Sequence, residues 1–546
     1  MAAFSISGNL VDLFNKKIFP ATVWVEQGRI AQIQHQASQQ YQRYLLPGFV
    51  DAHVHIESSL LVPTEFARLA TVHGTVAAVS DPHEIANVLG IPGIRFMLAN
   101  AAHTPFEIAF GVPSCVPATS FETAGATLST QEIEELFTQD HLAYLSEMMN
   151  VPGVLDRDPQ VMAKIRMAQE RGYGIDGHAP GLRGEAARRY GGAGIATDHE
   201  CFSLEEAQDK LAVGMKILIR EGSAAKNYKT LHPLLASQAD RCMFCSDDQH
   251  PDDLVRGHIN ELVRRSVALG YDVMTVLQVA CVNPVLHYPL KVGLLHLGDP
   301  ADLIVVDNLR DFTIEQTYCK GILAAENGTP LLPSTPVEHV NCFAASAKQV
   351  TDFCLPAKSP MVRVIEVFDG QLFTGEKAVP ALIQADQIIA DIDRDILKIT
   401  VVNRYADTAP AVALIQNFGL KRGAIASSVA HDSHNIVAVG VTDDELCQAV
   451  NAVILHQGGL AVAAGTSVSV LPLPVAGLMS DGDGYYVAQQ YAHLNALARQ
   501  LGSPLSAPLM TLSFMALLVI PELKLSDRGL FNGKQVQFVS PYIDSA

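Results

Sequence analysis

The stretch LLPGFVDAHVHIESS, residues 45–59, decides how the rest of the chain is read. Apolar residues lead through Pro47-Gly48 into a short strand that closes on His53 and His55. Alternate residues of a strand point to one side, so the two imidazoles face a common point. An H-x-H pair is weak evidence by itself, and its meaning depends on what the other strand ends carry.

Outward from this pair, short apolar runs ending in polar residues alternate with helix-like stretches. The runs cover 49–55, 75–81, 107–112, 143–147, 174–178, 195–199, 215–221 and 243–248. Helices are expected over 63–72, 91–102, 130–138, 159–171, 204–213, 251–268 and 273–281, several behind Ser, Thr or Asp N-caps. Eight strand–helix units in this span give an α/β fold, a (β/α)8 TIM barrel over residues 48–289. A doubly wound open sheet shows the same alternation, but no glycine-rich phosphate loop follows the first strand. Strand-like runs at 10–15, 21–26 and 29–34, within residues 1–47, are expected to pair with residues 290–335 as a flanking β-sandwich domain. Residues 336–360 read as a connection. Residues 361–546 read as a separate α+β C-terminal domain, with strands in LKITVVNR, ALIQNF and NIVAVGV and a capped helix in TDDELCQAVNAVILHQGG.

At 546 residues, 49% hydrophobic and 17% charged, the chain carries enough apolar side chains for several cores. A formal charge of -19 with no basic cluster argues against nucleic acid or an anionic membrane as partner. Nine cysteines spread thinly make no disulfide framework. Cys242 and Cys245 form a C-x-x-C without a second such pair, which favours buried strand cysteines over a zinc or redox site. The N-terminus lacks an apolar signal core, and no run of about 18 apolar residues suggests a membrane span, so a cytoplasmic protein is expected.

Catalytic groups of a barrel gather where its strands end. The first strand ends on His53 and His55, the second on Asp81 with His83 and Glu84 after it. The fourth ends on Glu147, the fifth on His178, the sixth on His199, and the eighth on Asp247 beside Asp248. Four histidines and two acids at separate strand ends suit Zn, Fe or Mn. Two such ions would lower the pKa of water held between them. Asp247 suits a general base. Glu147 is open to two roles, bridging the ions or protonating a ring nitrogen of the substrate. Asp81, Glu84, Arg220, Glu221, Ser223 and Lys226 lie at strand mouths, either as substrate contacts or as loop charges. His431 and His434 in AHDSHN do not share a strand face and read as structural or entrance-lining residues of a turn.

H-x-H after PGFVD, single histidines ending strands five and six, and Asp ending strand eight together resemble the amidohydrolase superfamily. The NP…G…GDPADLIVVD segment resembles that superfamily's return from barrel to flanking β-domain. GFVDAHVHIESSLLVPTEFAR, HGTVAAVSDPHEIANVLGI, LSEMMNVPGVL, DGHAPGL, ATDHE and CSDDQHPDDL are similar to the adenine deaminase family within it. HDSHNIVAVG and VIPELKLSDRGLF are similar to that family's C-terminal domain, so the resemblance covers nearly the whole chain. It implies hydrolytic deamination of adenine to hypoxanthine and ammonia in purine salvage. It also implies two divalent metal ions, Mn first with Fe or Zn as alternatives. His53, His55, His178, His199, Glu147 and Asp247 carry over as metal-site residues, with Asp247 as base and a bridging hydroxide attacking C6. Related hydantoinases use a carboxylated lysine on strand four, and AYLSEMM offers none. Adenine and water are the expected small-molecule partners, and a homo-oligomer is expected. A metal-dependent amidohydrolase acting on a cyclic amide or another aminated heterocycle is the alternative enzyme, and an inactive barrel serving as an assembly protein is the alternative outside enzymes.

Overall fold

A computed structural model describes residues 3–543. The eight apolar runs form short strands: Phe49–Val54, Thr75–Ser80, Glu107–Phe110, Tyr144–Met148, Gly174–Gly177, Thr197–Asp198, Lys216–Arg220 and Cys242–Cys245. Parallel ladders join the first three, the fourth to the fifth, and the sixth through the eighth. A Val112–Leu145 bridge links the third to the fourth. The Ala196 N–H, donating to the Ile175 carbonyl, links the fifth to the sixth. The ring closes where the eighth strand meets the first. There the Asp247 N–H donates to the His53 carbonyl and the His55 N–H to the Asp247 carbonyl. Strands covered on both faces read as unbroken apolar runs, and every residue of the first two is buried.

Two local details set where the strand ends lie. A Cβ on Gly177 would stand 2.4 Å from the Thr197 carbonyl, so glycine lets the fifth strand approach the sixth closely just before His178. Asp247 has φ of +57°, a left-handed conformation that Asp tolerates better than most residues, and this turns the chain at the end of the eighth strand.

The helices Pro63–Val72 and Thr130–Thr138 have the expected bounds, and Thr130–Thr138 begins in a Ser129–Glu132 capping box. The stretch expected as one helix over 251–268 is instead two, Pro251–Leu254 and Ile259–Ala268. The break falls at Gly257-His258, where the His258 backbone is not helical (φ -138°, ψ -135°) and its ring is drawn to Asp51. The expected helix over 273–281 ends at Leu277 and passes through a π turn, Gln278–Val282, into Asn283–His287.

Two compact units make up the chain. The first comprises the chain up to Pro82, Arg95–Ser114 and Ser129–Val337; the second comprises His83–Ile94, Cys115–Leu128 and the chain from Glu338 on. Beside the barrel, the first unit holds one eight-stranded sheet in which Phe4–Asp12 pairs with both Lys17–Glu26 and Tyr44–Pro47. Leu303–Val306 continues the ladder from Tyr44–Pro47. The strand expected at 10–15 begins earlier and stops at Asp12. The Asp12 carboxylate accepts from the Asn15 backbone and side chain and folds those residues into the turn before the next strand.

In the second unit, Ile396–Val402, Ala411–Gln416 and Ile436–Gly440 lie in a nine-stranded sheet. Helix Asp443–Leu455, capped by Thr442, buries Leu446, Val450 and Val453 against it. All nine cysteines are free, with Cys242 and Cys245 buried on the eighth barrel strand. Among the described residues, no helix is long and apolar enough to cross a membrane.

Candidate metal centre

The barrel closure brings six side chains from five strand ends together. His55 Nε2 lies 3.2 Å from Asp247 Oδ1 and 3.4 Å from Glu147 Oε1. His53 Nε2 lies 3.7 Å from Asp247 Oδ1 and 4.0 Å from Glu147 Oε2. Glu147 Oε2 is also 3.1 Å from His199 Nε2 and 3.0 Å from His178 Nδ1. Glu147 therefore sits among four imidazoles, and every member of the group except His178 is nearly fully buried.

The tautomer of His55 follows from its surroundings. Its Nδ1 faces the Asp81 backbone carbonyl at 3.1 Å, an acceptor only, so Nδ1 carries the proton and Nε2 presents a lone pair. That lone pair points at two carboxylate oxygens, an arrangement that is repulsive unless a cation stands between them. Both ring nitrogens of His53, and Nε2 of His199, are buried with no hydrogen-bond partner among the described residues. Burial, with His199 and His55 close by, holds His53 well below the ordinary histidine range, so it is the neutral imidazole a metal requires. Burial would raise the Glu147 carboxyl, yet His178 and His199 keep it well below the usual carboxylate range. These residues fit a divalent metal centre.

Beneath the ligands, Asp51 ties the first strand to the eighth. Its carboxylate accepts from the Ser246 N–H (2.9 Å), the Ser246 hydroxyl and His258 Nε2 (2.9 Å). Thr75 Oγ1 engages His258 Nδ1 at 2.7 Å, which completes a fully buried chain under His53 and Asp247. Ser58, from the HIESS string, donates to Asp248 at 2.6 Å.

The remaining sequence candidates separate. The Arg220 guanidinium bonds both Asp247 and Glu200, and its Nε donates to the Ala225 carbonyl at 3.0 Å. At the end of the seventh strand, it is thus taken up by the carboxylates of the centre. Glu221 pairs with Arg265 at 2.7 Å, and Ser223 donates to Asp253 at 2.7 Å while accepting from the His250 N–H. Neither joins the cluster, and Lys226 is exposed. Asp81 is buried, with its N–H donating to the Val54 carbonyl beside His55. Glu84 packs in the second unit, where His431 Nδ1 and His434 Nε2 both engage its carboxylate. His431 lies in a turn, as its spacing suggests, but the pair serves a buried acid.

Glu200 escaped the sequence reading. It lies 3.6 Å from His199 Nε2 and 3.8 Å from His178 Nδ1. Burial opposes its ionisation, but Arg220 and His178 hold its pKa down at about 2. The acid directly after His199 in ATDHE was the available signal. Against burial, Glu200 and Glu147 lift His178 to about 9.

Residues 44–323 match the model of the Amidohydrolase family, and residues 371–537 that of the Adenine deaminase C-terminal domain. An adenine deaminase of Salinibacter ruber is 55% identical over 545 residues, spanning 100% of each chain. One from a Sulfurovum species is 54% identical, over 98% of this chain and 99% of its own. One from Methanosarcina mazei is 49% identical over the same shares of the two chains.

Proposed function

The chain belongs to the adenine deaminases of the amidohydrolase family, and from that premise we propose how its residues hydrolyse adenine to hypoxanthine and ammonia. The observation that carries the reading is the buried convergence of His53, His55, His178, His199, Glu147 and Asp247, with His55 Nε2 turned toward two carboxylates. These six residues would hold two divalent ions. The mixed imidazole and carboxylate donors suit Mn, with Fe or Zn as alternatives. When bound, such ions supply Lewis-acid charge that makes water a nucleophile near neutral pH.

In this reading Asp247 does the proton work. Arg220 bonds its carboxylate and fixes its direction, so it is placed to take a proton as water adds to C6 of the purine. Asp247 then gives that proton to the exocyclic nitrogen, the C6–N bond breaks, and ammonia leaves with the C6 oxygen of hypoxanthine in place. Adenine and water are thus fully accounted for in hypoxanthine and ammonia. Glu147 lies among four imidazoles, which favours holding the ions over protonating the ring. Asp81, beside His55, is the acid we assign to the purine; Glu221 and Ser223 have protein partners that compete with such a role. The fourth strand supplies Glu147 and no lysine, unlike enzymes that carboxylate a lysine there.

We also infer the domain limits from the ladder pairing. Residues 1–47 and 290–335 form a flanking β domain built on one eight-stranded sheet, 48–289 the barrel apart from 83–94 and 115–128, which group with the second unit, and 361–546 the α+β C-terminal domain. Ammonia release from adenine, hydantoin and dihydroorotate by the Mn-loaded protein tests the substrate assignment. Turnover confined to adenine is expected, and release from a cyclic amide but not from adenine would overturn it.

A further inference from the structure

Behind the fifth and sixth strand ends, a buried lysine joins the two loops that follow His178 and His199. Lys210 lies on the helix Leu204–Ala212, with Glu206 one turn earlier on the same face, and Asp198 ends the sixth strand. Lys210 and Asp198 are 0% exposed and Glu206 2%. In sequence, Glu and Lys at i and i+4 read as an ordinary surface pair, yet this one is turned inward.

The Lys210 ammonium meets three oxygens. It donates to the Ala179 carbonyl at 2.6 Å and to Glu206 Oε1 at 2.8 Å, and it lies 3.0 Å from Asp198 Oδ1. Its three protons are matched by those three acceptors, so the lysine serves the protein and not a substrate. The two carboxylates reach on to the backbone. Asp198 accepts from the Ala179 N–H (2.9 Å) and the Glu200 N–H (2.8 Å). Glu206 accepts from the Gly181 N–H (2.8 Å) and the Phe202 N–H (3.0 Å). Ala179 and Gly181 are the first and third residues after His178, and Glu200 and Phe202 the first and third after His199. Each carboxylate therefore holds one backbone group from each loop, and the lysine ties the two carboxylates together.

The sheet gives little support at the same place. The sixth strand is two residues long, and its ladder runs to the seventh. Toward the fifth strand the pairing thins. The Ala196 N–H donates to the Ile175 carbonyl, but the Gly177 N–H reaches the Thr197 hydroxyl at 3.4 Å. The backbone joint thus weakens just before two imidazoles that must be held in register. Their rings stand 5.3 Å apart, and each has a nitrogen within 3.1 Å of Glu147 Oε2. The side-chain clamp takes over where the ladder stops.

We propose that Lys210, acting through Asp198 and Glu206, is a positioning residue that fixes the spacing of His178 and His199 and so sets the affinity for the ion those two imidazoles hold. The inference rests on the two-ion reading of the barrel cluster and adds a residue that no reacting atom touches. The two carboxylates do the holding, and the lysine offsets their buried negative charges, which without it would be left uncompensated. Burial opposes the charge on Lys210, yet Asp198 and Glu206 keep its pKa above the usual lysine value.

The test titrates the full-length protein, stripped of metal, with Mn by equilibrium dialysis, and circular dichroism checks that each variant is folded. Lys210→Met removes the charge at similar length. Glu206→Gln keeps the shape but turns an NH2 group toward one of the two loops, whichever way the amide sits. Each variant is expected to raise the dissociation constant for one Mn about tenfold, the lower end of what losing an outer partner costs a metal site, and to leave the other within a few-fold. Adenine turnover at limiting Mn is expected to fall and to return toward the parental value as Mn is raised. Parental affinity for both ions in either folded variant, with only the urea midpoint lowered, would make the lysine merely structural and overturn the clamp while leaving the two-ion centre standing. Equal weakening of both ions would also overturn it. A parent that binds fewer than two Mn per chain would bring down the two-ion reading itself, and this inference with it. Glu206→Gln decides the question even if Lys210→Met fails to fold.

Discussion

Replacing Arg220 by Met tests whether this arginine tethers the catalytic carboxylate or contacts substrate. Its guanidinium is 4% exposed and bonds both Glu200 and Asp247, with Nε on the Ala225 carbonyl. Removing one member of a buried ion pair leaves uncompensated charge and typically costs about 3–5 kcal/mol. Here two carboxylates lose the same partner, so a loss of stability at or above the top of that range is expected. Freed of Arg220, Asp247 loses the contact that sets its direction, and a displacement of about 1 Å in a catalytic group costs roughly 100-fold in rate. Arg220→Met is therefore expected to lower kcat for adenine roughly 100-fold, with KM changed only a few-fold, and to lower the urea midpoint. Arg220→Lys is expected to recover only part of this, because a point charge cannot reproduce the planar fork. Steady-state kinetics, metal analysis and urea unfolding on the same preparations measure all three effects. A protein with parental kcat, parental stability and a tenfold higher KM would refute the tether and make Arg220 a substrate contact.

Asp51→Ala leaves the Ser246 N–H, the Ser246 hydroxyl and His258 Nε2 without their acceptor. At about 1–3 kcal/mol for each buried group left unsatisfied, urea unfolding is expected to show a loss of several kcal/mol, and a loss below about 1 kcal/mol would contradict the tie between the first and eighth strands. His73 sets an acid limit: burial and His258 lower its pKa from 6.5 to about 4. The unfolded chain takes up this proton first, so the contribution to stability is complete above pH 6.5 and is lost as pH falls toward 4, by no more than about 3 kcal/mol. Urea midpoints of the parent and His73→Gln at pH 7.5 and 4.5 measure it; an identical fall in both proteins would count against the assignment.

The barrel was legible because strands covered on both faces must be apolar throughout, and each had a polar stop. PGFVDAHVH, AYLSE, GIDGH and IATDH carry both signals, and the ring of parallel pairings follows them. The six clustered residues were legible for a related reason, since strand ends are where a barrel gathers its chemistry. What stayed hidden depends on contacts distant in sequence. Glu200 looks like a solvated acid until Arg220 is placed against it. The break at His258 is set by Asp51, 207 residues earlier. Arg220 ends the seventh strand and Glu221 and Ser223 follow it, and only packing reveals that each has a protein partner. Nothing local in AHDSHN announces that His431 and His434 will engage Glu84, because that acid comes from the opening of a helix in the barrel portion of the chain.

The central claim is that the His53–His55 pair holds the metal on which adenine hydrolysis depends. Metal content and adenine turnover of His55→Ala, compared with the parent after identical Mn loading, test it most directly. The account predicts at least one equivalent of metal lost from the barrel site, and turnover reduced by several orders of magnitude. Full metal content with parental turnover would contradict it.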